Sequence, residues 1–187
     1  NQLTSLDVNS NTALTSLNCR NNYFIDSLDV SSNTALTHLL CQYNQLTSLD
    51  VSNNLALDSL YCNHNSIDSL DVSANIALIL FKCNSNELHY LEIGEKNDLQ
   101  FFNCSDNFLG NSFLNLSFSP NLNYFNAYSN GLPLCILVPD SAYYATHFPA
   151  SGIVYLQPVT INSVAVCDSY TWFGYTYTNN TLSTQLH

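Results

Sequence analysis

The chain has 187 residues, of which only 9% are charged, and its 3 Lys+Arg against 14 Asp+Glu give a formal net charge of −11. Such a charge repels phosphate backbones and anionic membrane surfaces, so we predict no nucleic-acid partner. No stretch approaches the ~20 apolar residues that a membrane-spanning helix needs, which predicts no membrane insertion. At this length we expect one elongated domain with a short appendix.

Cysteine recurs at intervals of 22, 21, 21 and 21 residues, at Cys19, Cys41, Cys62, Cys83 and Cys104. Leucine or phenylalanine lies two residues before each cysteine, and asparagine lies three residues after it. A sixth copy follows with Ala127 in the cysteine position. Self-similarity at this interval predicts a solenoid, in which each repeat is one coil that buries its apolar side only by stacking on its neighbours.

Each repeat consists of two similar halves, which we call the cysteine half, LxxLxCxxN, and the aspartate half, LxxLDVSxN. Neither half contains a helical pattern of sufficient length, and both read as strands with one buried side. We therefore predict an all-β solenoid with parallel strands on both broad faces and little curvature. Asparagine bonds readily to backbone groups that turns leave unpaired, which predicts a turn ladder of Asn22, Asn44, Asn65, Asn86 and Asn107.

These nested motifs resemble the leucine-rich repeat family and, more narrowly, its IRREKO-type class, as found in bacteroidete secreted and surface proteins. The resemblance covers residues 1 to about 131, or about six repeats. It implies a non-enzymatic interaction scaffold that is secreted or lies at the cell surface. Because Asn1 falls inside a repeat, we expect the chain to be an excised or processed piece of a longer protein.

Periodicity argues against a metal or disulfide function for the five repeat cysteines. Zinc sites use ligand pairs a few residues apart, whereas these cysteines occur once per coil. Equivalent Cβ atoms in stacked coils lie about 4.7–4.9 Å apart, slightly more than the ~3.5–4.5 Å that a disulfide spans. We predict that Cys19, Cys41, Cys62, Cys83 and Cys104 are buried free thiols, and we predict no cofactor.

Acidic residues form their own column, at Asp7, Asp29, Asp50, Asp71 and Glu92. At coil spacing their charges repel one another, and two arrangements would relieve this. One is a linear Ca²⁺ site on Asp29, Asp50, Asp71 and Glu92, since carboxylate oxygens suit that ion. The other, which we favour, is hydrogen bonding from flanking serines, because Ca²⁺ needs six or more oxygens and no loop here supplies the rest.

The repeat pattern ends near residue 131, and two further segments follow. Residues 132–157 resemble the closing segment of bacteroidete leucine-rich repeat arrays, which implies a cap with a short helix, expected at 140–147. Residues 158–187 contain CDSYTWFGYTYT, which is similar to the start of a module carried by bacteroidete surface proteins, and read as a β tail. In such modules a second cysteine follows, so Cys167 is either free or paired with Cys135.

Catalytic motifs are missing from the sequence. The five histidines fall in different columns or outside the repeats, and neither GxSxG, HExxH nor a phosphate-binding glycine loop occurs. We predict that the protein is not an enzyme.

Residue type varies most on the side of the coil that carries the cysteine half. Apolar and aromatic residues form a diagonal band there, at Leu40, Tyr61, Leu80, Phe101, Tyr124 and Tyr128. A band of this kind predicts a binding face for a protein or surface glycan on a monomeric chain. Two alternatives remain open: the cap or tail covers part of the band, or the solenoid is a rigid structural spacer of a larger adhesin with no ligand of its own.

Overall fold

The computed structural model describes residues 1–110 and 112–131, together with four later strands. In chain order the strands are β1 Ser16–Asn18, β2 His38–Leu40, β3 Ser59–Tyr61, β4 Ser69–Asp71, β5 Leu80–Lys82, β6 Tyr90–Glu92, β7 Phe101–Asn103, β8 Phe113–Asn115, β9 Tyr124–Asn126, β10 Leu134–Leu137, β11 Ile153–Leu156, β12 Ser169–Trp172 and β13 Tyr175–Thr178. All regular secondary structure in these residues is β. The described residues therefore include no helix that could cross a membrane.

Six strands form one parallel sheet in the order β1-β2-β3-β5-β7-β9, which we call the cysteine sheet because each strand precedes the cysteine column. Neighbouring strands pair without slippage, so that Leu39 lies beside both Leu17 and Leu60. The ladder continues past the strands, where the Cys62 amide donates to the Lys82 carbonyl at 2.9 Å. The repeat period therefore fixes the register, because each residue meets its equivalent one coil later.

The core lies between the two halves of each coil. The middle residue of every strand in the cysteine sheet points inward, and these residues are Leu17, Leu39, Leu60, Phe81, Phe102 and Phe125. The Phe81 and Phe102 rings are stacked with centroids 5.2 Å apart, and Phe102 and Phe125 follow at 5.5 Å. Burial of this continuous apolar column is the main source of stability, because no single coil has a core of its own.

The aspartate halves form the opposite face, which is less regular. Strands β4 and β6 form a parallel pair, and β8, β10 and β11 form a parallel three-stranded sheet. In the described coils before Ser69 no strand is assigned on this side. The prediction of an all-β solenoid with parallel strands on both faces is confirmed, with continuous pairing on the cysteine side only.

Each coil turns through a left-handed residue shortly after the cysteine column. The residues are Asn21, Tyr43, His64, Ser85, Asp106 and Ser129, with φ between 54° and 58°. Such φ values cost non-glycine residues about 1 kcal/mol or more, so the surrounding contacts must enforce them. The sequence analysis missed this column, because the position carries no glycine.

The segments after the repeats are described only in part. Strand β10 pairs with β8 on one side and β11 on the other, and β12 and β13 form an antiparallel pair. The helix expected at 140–147 and the Cys135–Cys167 alternative lie outside the described residues. The boundaries of the segments at 132–157 and 158–187 therefore remain predictions.

Candidate interaction face

The outer surface of the cysteine sheet is built from the first and third residues of each strand. The first residues are Ser16, His38, Ser59, Leu80, Phe101 and Tyr124, and the third are Asn18, Leu40, Tyr61, Lys82, Asn103 and Asn126. Because the pleat alternates, both columns point outward while the middle residue is buried. Parallel pairing without slippage then places equivalent side chains beside one another on this face.

The structure brings the predicted band together in two rows. Leu80, Phe101 and Tyr124 occupy paired positions of β5, β7 and β9, and Leu40 and Tyr61 occupy paired positions of β2 and β3. Phe101 and Tyr124 stack with centroids 4.2 Å apart and planes 6° apart. The band is half-buried at Leu40, Tyr61, Leu80 and Phe101, while Tyr124 is 41% exposed.

Tyr128 lies beyond the end of β9 and is 57% exposed. Its backbone amide donates to Asn126 Oδ1 at 3.0 Å, which orients the chain as it leaves the strand. Tyr128 therefore lies at the margin of the face, and the two rows of strand residues form its centre.

Lys82 joins the two rows, and the sequence analysis did not single it out. Its Nζ lies 4.6 Å from the Tyr61 ring centroid and 4.9 Å from that of Phe101, which places the ammonium over both rings. Cation–π contacts of this kind hold a lysine against aromatic faces. The available signal was that Lys82 occupies the same column as Leu40 and Tyr61 and is one of three cationic residues in the chain.

The cysteine sheet carries no acidic residue, in contrast to the rest of the described coils. None of its six strands contains Asp or Glu, and the column that follows the cysteines contains none either. Arg20 and Lys82 both lie on this side, while the column from Asp7 to Glu92 lies in the aspartate halves. In a chain with a net charge of −11, the strands of this sheet thus contain no acidic residue, and Asp58 lies at their edge beside His38.

Thr37, His38 and Asp58 come together where the neighbouring strands β2 and β3 begin. Thr37 Oγ1 lies 2.7 Å from His38 Nδ1, and His38 Nε2 lies 3.5 Å from Asp58 Oδ1. The Thr37 hydroxyl donates its proton to the Thr15 carbonyl at 2.9 Å, so its oxygen accepts from the imidazole. The hydroxyl therefore stabilises the packing of two coils and is not arranged as a nucleophile with its proton directed at a base.

The five repeat cysteines are free and buried, and each points into the core beside the sheet. The Cys62 thiol donates to the Lys82 carbonyl at 3.5 Å, and the thiols of Cys41 and Cys83 make equivalent bonds. Burial raises the pKa of Cys19 to about 11 and that of Cys62 to about 12, and it raises the pKa values of Cys41, Cys83 and Cys104 as well. Protonated thiols in this environment are poor nucleophiles and poor metal ligands.

The asparagines after the cysteines form what we call the cysteine bend. Asn86 Nδ2 donates to the carbonyls of Cys62 and Cys83 at 3.1 and 3.0 Å, and its Oδ1 accepts from the Ile67 amide at 3.1 Å. Asn107 and Asn65 use donor and acceptor in the same way. Asn44 is an exception: its Oδ1 has no partner among the described residues, and it follows the first coil, which is one residue longer than the next three.

A second set of asparagines forms the aspartate bend, at Asn33, Asn54 and Asn75. Asn54 Nδ2 donates to the Val30 and Asn33 carbonyls at 3.0 and 2.9 Å. The Oδ1 atoms of all three asparagines are buried without a partner in the described part of the chain. This bend therefore uses the amide as a donor only.

Lys96 occupies the next position of the aspartate bend. It is fully buried, and its Nζ donates to the Val72 carbonyl at 2.9 Å, as the asparagines of that bend do in earlier coils. Burial lowers the pKa of Lys96 to about 8, although Asp71 and Glu92 favour its charged form. An ammonium group has donors and no acceptor, so it can replace asparagine only where no acceptor is needed.

Carboxylates of the acidic column accept hydrogen bonds from backbone amides of their own coils. Asp29, Asp50 and Asp71 each accept from the amide of the serine two residues later at 2.8–2.9 Å. The hydroxyl and amide of Ser31 lower the pKa of Asp29, and the amide and hydroxyl of Ser52 lower that of Asp50. Among the described residues, no three His, Cys, Asp or Glu side chains are grouped closely enough to hold a metal ion.

Solved structures with a similar fold exist. The chain is similar to the functional domain of InlJ from Listeria monocytogenes, which includes a cysteine ladder, with 29% identity and a TM-score of 0.59. The match covers 87% of this chain and 44% of that one, so this chain spans less than half the length of the InlJ chain. No protein-family profile and no curated protein matches the sequence. The stacked coils and this likeness fit a leucine-rich repeat fold.

Proposed function

We propose that the solenoid is a non-enzymatic scaffold that binds a protein through the outer surface of the cysteine sheet. The observation that carries this proposal is the band of Tyr61, Leu80, Phe101 and Tyr124, which lies on a sheet whose strands contain no acidic residue. Contact surfaces of proteins are commonly rich in aromatic residues and poor in charge at their centre.

The opposite face is more polar in its early coils. Its outward residues there are mostly serine and aspartate, with carboxylates hydrogen-bonded to the turns of their own coils, and exposed aromatic residues follow in its strands at Tyr90 and Phe113. The contrast between the faces favours a binding scaffold over a spacer, which needs uniform polar sides. We propose a secreted or cell-surface location and a monomeric isolated chain, as the resemblance to IRREKO-type bacteroidete proteins implies.

The proposal is tested by replacing Tyr61, Leu80 and Phe101 with serine in the full chain. These side chains are half-buried on the surface, so the variant should keep its circular dichroism spectrum and unfold cooperatively near the wild-type temperature. Proteins retained by the immobilised wild type should be lost from the variant in quantitative mass spectrometry.

Leu55→Ser, Ile76→Ser and Tyr90→Ser together form the matched control. These three large apolar side chains are 59%, 65% and 55% exposed and lie outside the cysteine sheet. The control should retain the same proteins as the wild type. If both triple variants retain them equally, the ligand does not bind on this face and the proposal fails; if the wild type itself retains no protein, the spacer alternative replaces the proposal.

A further inference from the structure

Charge is distributed unevenly around the coil, and the distribution selects the chemistry of a partner. The acid-free cysteine sheet carries Arg20 and Lys82, whereas Lys96 is buried and unavailable at the surface. Arg20 and Lys82 attract acidic groups of a partner to this sheet, whereas the acidic column from Asp7 to Glu92 repels them from the aspartate halves. Complementary charge of this kind contributes mainly to association rate and orientation.

The ring geometry indicates which part of each aromatic residue meets a ligand. Phe101 in β7 has Lys82 of β5 over its ring on one side and Tyr124 of β9 stacked at 4.2 Å on the other. Both faces of the ring are thus covered by neighbours in the sheet. What Phe101 offers to a partner is its edge, where an aromatic ring carries partial positive charge.

Lys82 adds a full charge at the same place. Its ammonium contacts the rings of Tyr61 and Phe101, and no carboxylate in the described coils forms an ion pair with it. The rings restrain the side chain without neutralising it, so less rotamer entropy is lost when it pairs with a ligand.

We propose that Lys82, with the edges of Tyr61 and Phe101, forms an anion subsite that accepts an Asp or Glu side chain of a protein partner. Apolar residues beside that carboxylate would contact Leu40 and Leu80 on the two flanking rows. Both faces of Phe101 are occupied, so this ring is closed to stacking by a sugar, and an acidic and apolar protein segment fits the subsite at Lys82 better. This inference rests on the proposed function and specifies its ligand.

The test uses a phage-displayed library of random linear peptides, selected on the full immobilised chain. Clones are kept if they fail to bind the Tyr61→Ser, Leu80→Ser, Phe101→Ser variant. We expect the retained peptides to be enriched in Asp or Glu next to apolar residues. Lys82→Gln should weaken their binding on the order of tenfold, and added salt should weaken it further. Arg20→Gln is the matched control, because it removes the same charge from the same side three coils away, and should change binding by less than about twofold.

The possible results distinguish failure of the anion subsite from failure of the interaction face as a whole. Peptides that depend on the face but show no acidic enrichment, or bind Lys82→Gln normally, overturn the anion subsite and leave the interaction face intact. A library with no clone that depends on the face overturns both. Binding of acidic oligosaccharides that is lost in Lys82→Gln, without any acidic peptide, overturns the assignment of a protein partner.

Discussion

Asparagine side chains hold the bends of both halves of the coil, but they form different sets of hydrogen bonds in the two halves. At the cysteine bend, Asn86 uses two donors and its acceptor, and every one of its partners is a backbone group. At the aspartate bend, Asn54 uses only its donors and leaves Oδ1 buried without a partner among the described residues. The cysteine half is therefore the more tightly specified half of the solenoid, and it is also the half with the continuous sheet.

This difference explains where the repeat tolerates substitution. Lys96 replaces asparagine at the aspartate bend, where donors suffice, whereas asparagine occupies all six positions of the cysteine bend. The buried Oδ1 atoms of Asn33, Asn54 and Asn75 indicate that hydrogen bonding there falls short of what the amide offers. The comparison leads to four predictions, in order of decreasing effect.

Alkaline pH should destabilise the fold through the buried thiols of the cysteine half. Burial holds the thiol pKa values at about 11 for Cys19 and about 12 for Cys62, whereas the ordinary value is 9.0. Above pH ~9 the unfolded chain releases these protons and the folded chain keeps them, so stability falls by up to ~1.4 kcal/mol per thiol per pH unit. Five thiols should unfold the chain by about pH 11, as followed by circular dichroism.

Cys83→Ala is the control for that titration, because Ala127 already occupies the cysteine position in the last coil. It should make the loss of stability with pH shallower by about one fifth, since one of the five thiols is removed. An unchanged slope would show that the buried thiols do not drive alkaline unfolding.

Replacing one asparagine at each bend should cost more folding stability at the cysteine bend than at the aspartate bend. Asn86→Ala leaves two carbonyls and one amide unpaired in the interior, and we expect it to cost about 3 kcal/mol. Asn54→Ala leaves two carbonyls unpaired but also removes an unsatisfied oxygen, so we expect about 1–2 kcal/mol. Urea unfolding of the two variants measures the difference, and equal costs would contradict the distinction between the bends.

Lys96→Asn should restore the repeat and remove the cost of a buried charge. The pKa of Lys96 is lowered to about 8 from 10.5, so between these values the unfolded chain binds the proton more strongly and this group's contribution to stability rises with pH. The variant should therefore exceed the wild type by about 2 kcal/mol near pH 7. Its advantage should shrink as pH rises above ~8, where the wild-type amine becomes neutral.

Rising pH also lowers the stability of both proteins through the thiols, by the same amount in each. The difference in free energy of unfolding between the two proteins therefore reports Lys96 alone. A difference that stays constant with pH would show that Lys96 is charged throughout and well accommodated.

The smallest effect should come from the acidic column. The amide and hydroxyl of Ser52 lower the pKa of Asp50, so its stabilising bond is present above the ordinary carboxyl pKa and lost as pH falls through the lowered one. Asp50→Asn keeps an acceptor for the Ser52 amide and should change stability by only a few tenths of a kcal/mol. Urea unfolding at neutral pH checks this, and a large loss would mean that the charge itself stabilises the turn.

The sequence alone determined the columns of this protein. Residues that repeat every coil must lie above one another, so the positions of the core leucines, the cysteines and both asparagine sets follow from spacing and strand alternation. The band from Leu40 to Tyr124 was predictable for the same reason, because outward columns alternate with the buried one.

Only the tertiary structure decided how neighbours in those columns interact. Lys82 lies between Tyr61 and Phe101, and Phe101 lies between Lys82 and Tyr124, because side chains reach diagonally across strands as well as along a column. Lys96 likewise looks like a surface residue in the sequence, and its burial depends on a carbonyl in the preceding coil, Val72, which needs a donor. Repetition specifies which residues share a column, but the direction of each side chain depends on hydrogen bonds and ring contacts that form only when the coils stack.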